Sequence, residues 1–263
     1  MKLENKIVWI TGASSGIGEA LAYELSKKGC KLILSSRTIE ALEQVKANCA
    51  HPEHISILAL DLADITEIPQ ITKKAISLYG NIDVLVNNAG ISQRSLIADT
   101  AIEVYNRLMQ INYLGTIALT KSALPHFIAK KEGTFVTVTS LMGRFGSPYR
   151  SGYCAAKHAL HGFFDVLRME HDKDNLQVTL ICPGFVQTNV AKNALTANGS
   201  KQGTQDKATE NGLEPQTFAL KMIRAIEKEK HEAYIGQKEI LGIYLKRWFP
   251  KFLHKVVLKS QVT

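Results

Sequence analysis

The sequence contains few cysteines and no long apolar run. Its four cysteines include no Cys-x-x-Cys pair, so neither a disulfide framework nor a zinc site is predicted. The N-terminal residues enter the first apolar run at Ile7 without a signal-peptide h-region before it, so we expect no secretion. Free cysteines without an export signal are typical of a reducing compartment, and we expect a cytoplasmic location.

Acidic residues are depleted in only one part of the chain. The net charge is +8, and residues 238–259 supply +5 of it, from six Lys or Arg against Glu239 alone. The other 241 residues carry only +3. A basic face spread over the whole domain is therefore not indicated, and we expect no nucleic-acid partner.

Short apolar runs alternate with longer segments of helical period. Continuous apolar strands separated by helices predict a parallel sheet covered on both faces, the doubly wound, Rossmann-like α/β class. We expect a single domain over residues 1–237 and a basic amphipathic extension over 238–263. The predicted strands are Ile7–Ile10, Leu32–Leu34, Ile55–Leu60, Val84–Val86, Phe135–Val138 and Val178–Ile181, and the predicted helices are Glu19–Lys28, Glu40–Ala47, Ile68–Leu78, Ile102–Lys130 with an internal break, and Gly152–His171.

Residues 191–215 depart from this alternation. Asn, Thr, Gln, Lys and Gly dominate the segment, which has few large apolar residues. A long irregular segment that follows a strand of an α/β sheet lies on the ligand-binding side. We interpret it as a flexible substrate lid, with disorder without a function as the alternative.

A glycine-rich loop, Thr11–Gly18, joins the first strand to the first helix. Glycines permit a tight turn and close approach of a pyrophosphate to the backbone, and the helix N-terminus favours its negative charge. The spacing Gly-x-x-x-Gly-x-Gly differs from that of ordinary Rossmann dehydrogenases and from a P-loop. The predicted dinucleotide-binding residues of this loop are Gly12, Ser14, Ser15, Gly16, Ile17 and Gly18.

The end of the second predicted strand indicates which dinucleotide binds. A fold that selects NAD places an acid there for the ribose 2′-hydroxyl, whereas this strand ends Leu34-Ser-Ser-Arg37. Arg37 is suited to a 2′-phosphate, because a guanidinium forms bidentate bonds with phosphate oxygens. We therefore predict NADP(H) in preference to NAD(H). The alternative is a solvated arginine at a strand end.

Tyr153 and Lys157 are four residues apart on a predicted helix, so their side chains share one face. A positive charge nearby lowers the pKa of a tyrosine, which suits it to acid/base work. Ser140 ends a predicted strand, where its hydroxyl can hold a substrate oxygen, and Asn112 can hold a water in a proton relay. Tyr-x-x-x-Lys alone occurs by chance in many helices, so the prediction depends on the whole set.

Taken together, these residues resemble the motifs of the short-chain dehydrogenase/reductase family, in order and spacing, from about Lys6 to Thr188. The resemblance implies a catalytic tetrad of Asn112, Ser140, Tyr153 and Lys157. It also implies dimers or tetramers. Tyr149-Arg-Ser-Gly-Tyr-Cys-Ala-Ala-Lys-His and Gly162-Phe-Phe-Asp-Val-Leu-Arg are similar to the branch of dehydrogenase/reductase member 7B and 11β-hydroxysteroid dehydrogenase type 1. Beyond the glycine-rich loop and Arg37, the expected cofactor-binding residues are Asp61, Leu62, Asn88, Ala89, Gly90, Tyr153, Lys157, Pro183, Gly184, Val186 and Thr188.

The expected activity is hydride transfer between NADP(H) and a carbonyl or secondary alcohol, with an apolar small-molecule substrate. Alternatives are an NADP(H)-binding regulator without turnover and a membrane-surface adaptor. Apolar residues between Ile240 and Val257 recur at helical spacing among basic residues, which is typical of an interfacial helix. Packing of residues 238–259 on the core or on a partner subunit is the other interpretation. No metal is expected, because no third ligand is spaced to join His158 and His161.

Overall fold

The computed structural model describes residues 1–260 and confirms the predicted fold class. Seven strands form one parallel sheet in the order β3-β2-β1-β4-β5-β6-β7. The order reverses between β1 and β4, which is the topological switch point of a doubly wound sheet. The strands are β1 (Ile7–Thr11), β2 (Lys31–Ser36), β3 (Ile55–Ala59), β4 (Val84–Asn87), β5 (Gly133–Val138), β6 (Leu176–Pro183) and β7 (Glu232–Ile235).

The first six helices follow the predicted segments, with one division, whereas helices Lys207–Glu210 and Pro215–Glu227 and strand β7 lie where no element is predicted. The helix predicted over 102–130 is interrupted by a π-helical turn at Gln110–Gly115, which carries Asn112. Such turns occur frequently at functional sites. The helices are α1 (Gly16–Lys27), α2 (Ile39–Ala47), α3 (Ile68–Tyr79), α4 (Ile102–Met109), α5 (Thr116–Lys130), α6 (Ser151–Glu170), α7 (Lys207–Glu210), α8 (Pro215–Glu227), α9 (Leu241–Trp248) and α10 (Pro250–Lys259).

Both faces of the sheet are buried, which explains why its strands are apolar at consecutive positions. Alternate side chains of a strand point to opposite faces. Trp9 and Leu85 join the apolar cluster that contains Phe127 of α5, whereas Ile10 and Val86 join the cluster on the other face. Burial on both sides fixes the carboxyl ends of the strands relative to one another.

The segment 191–215, interpreted above as an irregular lid, is ordered by hydrogen bonds to the chain that follows β4. The Leu195 amide donates to the Ser92 carbonyl (2.9 Å), and the Arg94 amide donates to the Leu195 carbonyl (2.8 Å). Ala101 is bonded in the same way to Ala197 (2.9 Å). Backbone pairing, which composition does not reveal, thus gives the segment a defined conformation. Its motion stays a prediction.

The basic segment after residue 237 packs against the body of the protein through one of its faces. Leu253 of α10 is buried in an apolar cluster with Leu141, Phe145 and Cys182. Gly242 of α9 lies so close to the Phe145 ring that a Cβ atom there would be 2.9 Å from it. The segment predicted as an extension is therefore continuous with the fold as far as residue 260. Residues 261–263 lie outside the described part of the chain.

Candidate active site

A cleft of about 1040 Å³ lies along the carboxyl ends of strands β1 to β6. Loops after these strands form its floor, and residues from 185–209 and from α9 and α10 form its outer wall. All predicted site residues line the cleft except Gly18 and Asn112, which lie behind it. This is the position at which a doubly wound sheet binds its ligands.

Thr11 at the end of β1 ties the glycine-rich loop to the neighbouring strand. Its hydroxyl accepts hydrogen bonds from the backbone amides of Asn88 (3.0 Å) and Ala89 (3.1 Å). In return, the Asn88 side-chain amide donates to the Thr11 and Gly12 carbonyls (3.0 and 3.1 Å). The loops after β1 and β4 are therefore held together at the topological switch point. Thr11, which also lines the cleft, is a site residue beyond those that the motif predicts.

The glycines of this loop are required by close contacts between backbones. A Cβ atom at Gly12, whose φ is 63°, would lie 2.8 Å from the Ala89 Cα atom. A Cβ atom at Gly18 would lie 2.3 Å from the Gly12 carbonyl oxygen. Gly18 thus shapes the loop from behind, whereas Gly12 and Gly16 line the cleft.

The N-terminus of α1 faces the cleft and has the properties of an anion site. Ser15, its N-cap residue, makes no side-chain capping bond to the first turn. The free amides and the helix dipole favour a negatively charged group there. The glycine-rich cradle and the length of the cleft therefore fit a dinucleotide, with its pyrophosphate at Ser14–Ile17.

The ends of β2 and β3 form the end of the cleft that lies beyond the glycine-rich loop. Arg37 is exposed, and it lines the cleft together with Ser36 and Thr38. Asp61 lines the cleft after β3, and its carboxylate accepts a bond from the Ala63 amide (2.9 Å). A cation stands at the end of β2, where a fold selective for NAD has an acid.

Ser140 and Tyr153 are the first two of the predicted catalytic residues in the cleft. Ser140 follows β5 and is nearly buried, and its hydroxyl accepts a bond from the Met142 amide (3.1 Å), which fixes the side chain. Desolvation raises the pKa of the Tyr153 phenol, whereas a hydrogen bond with Ser140 and the positive charges of Arg94 and Arg150 act to lower it. The pKa of Tyr153 is raised overall, so the lowering expected from the sequence is not observed, and the two arginines are an influence that no local motif predicts.

Lys157 is buried one helical turn after Tyr153. Its ammonium donates to the Val138 carbonyl at 2.8 Å and lies 5.8 Å from the centroid of the Tyr153 ring. Desolvation lowers the pKa of Lys157 to about 8. The predicted sharing of one helix face is thus observed, with an ammonium that is easily deprotonated.

Asn112 holds the loop after β4 beside Lys157. Its side chain accepts from the Ile91 amide (2.8 Å) and donates to the Ile91 carbonyl (2.9 Å). A Cβ atom at Gly90 would lie 3.0 Å from the Asn112 oxygen and 3.6 Å from the Lys157 nitrogen, so both groups converge on Gly90. The side-chain amide of Asn112 therefore bonds the Ile91 backbone, and the water relay predicted through Asn112 stays a prediction.

A buried ion triad joins the outer wall of the cleft to its floor. Asp206 accepts bonds from Arg94 (Nε, 2.9 Å; Nη2, 2.5 Å) and from Arg150 (Nη2, 3.0 Å). All three side chains are nearly inaccessible to solvent. Arg150 immediately precedes α6, and Tyr153 lies three residues further on. The sequence does not predict the triad, because its members are far apart in the chain and form no local motif.

The C-terminal segment holds the loop after β6, which forms another part of the cleft floor. The Glu239 carboxylate accepts a bond from the Phe185 amide (3.0 Å). It also packs against Gly184, where a Cβ atom would be 2.0 Å from it. The cleft-lining residues Pro183, Gly184, Val186 and Thr188 are thereby placed opposite the glycine-rich loop.

The geometry is matched by a comparison with known protein families. The family described as short chain dehydrogenase matches residues 6–199 of this chain. The chain belongs to the short-chain dehydrogenase/reductase family. It is an oxidoreductase of that family, as the sequence motifs predicted, and the match covers the glycine-rich loop, Ser140, Tyr153 and Lys157.

Curated relatives of this short-chain dehydrogenase cover nearly the whole chain. Human dehydrogenase/reductase SDR family member 7 is 41% identical over 95% of this chain and 76% of its own length. Mouse dehydrogenase/reductase SDR family member 7B is 36% identical over 97% of this chain and 81% of its own length. The predicted resemblance to the member 7B branch is therefore confirmed.

Solved structures show the same fold. A short-chain dehydrogenase from Streptomyces avermitilis superposes with a TM-score of 0.83 at 27% identity, covering 99% of this chain and 100% of its own. An alcohol dehydrogenase from Thermococcus sibiricus, complexed with 5-hydroxy-NADP, superposes with a TM-score of 0.75 at 26% identity, covering 89% and 97%. A short-chain dehydrogenase/reductase from Burkholderia phymatum, in complex with NAD, superposes with a TM-score of 0.83 at 20% identity, covering 100% and 98%. Neighbours of this short-chain dehydrogenase therefore include complexes with NADP-type and NAD cofactors.

Proposed function

We propose that this chain transfers a hydride between NADP(H) and the carbonyl or secondary alcohol group of an apolar small molecule. The observation that carries the proposal is the convergence of Ser140, Tyr153 and Lys157 in one cleft that the glycine-rich loop also lines. An acid/base group and a dinucleotide cradle in the same cleft suit a reaction between two bound molecules.

The preference for NADP(H) rests on Arg37. Its guanidinium is exposed at the end of β2 and lines the cleft, where a ribose 2′-phosphate would approach it. Thr38, which also lines the cleft, offers its hydroxyl as a further donor, whereas the Ser36 hydroxyl donates to the Thr38 carbonyl (3.1 Å). Because solved neighbours include both an NADP-type and an NAD complex, the preference depends on Arg37 itself.

A bound nicotinamide would supply or accept the hydride. In the reducing direction, Ser140 donates a hydrogen bond to the substrate carbonyl oxygen and Tyr153 donates its phenolic proton to that oxygen as negative charge develops. The raised pKa of Tyr153 keeps the phenol protonated for this role. Lys157 holds a proton beside the Tyr153 ring and restores the phenol after turnover. In the oxidising direction the proton moves the opposite way.

The substrate half of the cleft is mainly apolar. Leu141, Met142, Phe145 and Phe185 line it beside the chemical group. Arg94 and Arg150 also line it, but both are bonded to Asp206 and so do not present an open anion site. These surroundings favour an apolar ketone or alcohol over a charged one.

A titration of the purified protein with NADPH and NADH tests the cofactor assignment. We expect tighter binding of NADPH, and we expect Arg37→Asp to weaken NADPH binding about 10- to 100-fold, as for a lost charge-assisted bond. Arg224→Asp makes the same charge change on the exposed face of α8 and serves as the control. Unchanged NADPH affinity in Arg37→Asp would contradict the assignment.

The rival function is an NADP(H)-binding regulator that performs no chemistry. Ser140, Tyr153 and Lys157 converge in the cleft, and Asn112 is present behind it, which favours the enzyme. Tight NADPH binding without turnover over a broad panel of ketones and alcohols would support the regulator.

Assembly and location complete the proposal. We propose a dimer or tetramer, in keeping with the oligomers typical of the family, in the cytoplasm. Size-exclusion chromatography with light scattering measures the mass of the assembly. A monomer at micromolar concentration would contradict the proposed dimer or tetramer. Fractionation of the source cells tests the location.

A further inference from the structure

The outward face of α9 and α10 exposes an unusual number of large apolar side chains. Trp248 is 72% exposed, Phe249 64% and Phe252 56%. Single exposed apolar residues are common, whereas contiguous groups mark contact surfaces. We call this group, with its neighbours, the aromatic face; its members are Leu241, Tyr244, Trp248, Phe249, Phe252 and Val256.

The opposite side of the same two helices is already occupied. Leu253 is buried against Leu141 and Phe145, and Ile243, Leu245 and Val257 are packed on that cluster. The aromatic face is therefore the part of the amphipathic segment that the fold leaves uncovered. Core packing thus accounts for one side of the tail, and the other side is exposed.

The charge around the aromatic face has one sign. Residues 241–260 contain five Lys or Arg and no acidic residue. Lys246, Arg247, Lys251, Lys255 and Lys259 are all exposed. Basic side chains that flank exposed Trp, Phe and Leu on short helices are typical of segments that lie in a bilayer interface. None of the described helices is long and apolar enough to cross a membrane.

The mouth of the cleft adjoins this face. Leu241 and Val256 are exposed and also line the cleft, and Leu245 and Leu253 line it further in. A surface or partner that contacted the aromatic face would thus lie at the entrance to the apolar half of the cleft.

We propose that the aromatic face binds the surface of an anionic lipid bilayer and places the mouth of the cleft at that surface. Two copies of the chain joined through this face would oppose five cations with five cations, which disfavours a dimer there. The consequence for substrate supply, entry of an apolar ketone from the lipid, rests on the proposed function.

Co-sedimentation with vesicles tests the surface directly. We expect the full chain to bind vesicles of phosphatidylcholine with phosphatidylserine more tightly than vesicles of phosphatidylcholine alone, and to lose this preference at high salt. Trp248→Ser/Phe252→Ser should weaken binding about tenfold or more. Lys251→Glu/Lys255→Glu should weaken binding to the anionic vesicles by about fivefold or more per residue. Met169→Ser, which changes a side chain 70% exposed on α6, is the control.

Two outcomes would overturn the proposal. One is equal sedimentation of the wild-type chain and Trp248→Ser/Phe252→Ser. The other is a wild-type oligomer that Trp248→Ser/Phe252→Ser dissociates in the absence of lipid, because the face would then be a subunit interface. Neither Trp248 nor Phe252 lines the cleft, so NADPH binding should be unchanged in the variant.

A kinetic comparison separates this inference from the proposed function. With a long-chain ketone in anionic vesicles, we expect Trp248→Ser/Phe252→Ser to raise KM with little change in kcat, whereas a short water-soluble ketone should show no difference. Equal KM values for both proteins on the vesicle-borne ketone would refute entry from the lipid. Vesicle binding without turnover of any ketone would refute the proposed function and leave the lipid contact established.

Discussion

The most informative perturbation outside the chemical group is Asp206→Asn. The substitution keeps the size of the side chain but removes the only carboxylate that bonds both Arg94 and Arg150 within the described residues. Two buried guanidinium groups would then lose the carboxylate that they share. Loss of one partner from a buried ion pair costs about 3–5 kcal/mol.

The structure indicates how that cost would be divided between local opening of the 191–206 segment and global unfolding. Asp206 lies at the end of the segment that is bonded to residues 92–101, so opening this segment would let water reach the arginines. We therefore expect local opening first and a fall in the free energy of global unfolding of at most about 3 kcal/mol. Because the same segment lines the cleft, its opening should raise KM more than it lowers kcat.

Hydrogen exchange read by mass spectrometry measures the local effect. In Asp206→Asn, the amides of Arg94 and Leu195, which pair the two segments, should exchange faster than in the wild type, while those of β5 should not. Glu210→Gln makes the same chemical change at an exposed position of α7 and serves as the control. Wild-type exchange at Arg94 and Leu195, together with an unchanged KM, would refute the reasoning.

Further predictions concern pH and packing. Burial alone would raise the pKa of Asp206, but bonds and charge from Arg94 hold it below its ordinary value. Its contribution to stability should therefore be complete above about pH 4 and be lost as the pH falls through the lower folded pKa, as acid unfolding curves would show. The pKa of Lys157 is lowered to about 8, so reductive kcat/KM should fall above that pH as the charge is lost. Lys157→Arg should be slower but should lose this alkaline decline, and an unmoved decline would assign it to another group. Gly18→Ala should cost about 1–3 kcal/mol in denaturant unfolding, because its Cβ would meet the Gly12 carbonyl at 2.3 Å. Gly162→Ala, where a Cβ meets nothing within 4 Å, should stabilise by up to about 1 kcal/mol, and equal effects at the two glycines would contradict the packing argument.

The sequence predicted the parts of the fold that depend on local patterns. Apolar runs such as Ile7–Ile10 identified the central strands, because strands buried on both faces are apolar at every position. The motif residues could be placed together because the carboxyl ends of parallel strands meet at one edge. Tyr153 and Lys157 needed only the helical period to be placed side by side.

What the sequence could not predict depends on pairing between distant residues. The order of residues 191–206 comes from backbone bonds to 92–101, and the Asp206 triad joins residues up to 112 positions apart. The role of Glu239 in holding the loop after β6 is of the same kind. No periodicity or local motif indicates such contacts, so composition alone favoured a mobile segment.

The central claim is that Tyr153 delivers the proton for a hydride transfer that uses NADP(H). The most direct measurement compares wild-type protein with Tyr153→Phe for NADPH affinity and for turnover of a carbonyl panel, followed at the nicotinamide absorbance. The account predicts that Tyr153→Phe binds NADPH nearly as well as the wild type but loses turnover by at least about 100-fold. Retained turnover in Tyr153→Phe, or a wild-type protein that binds neither NADPH nor NADH, would contradict it.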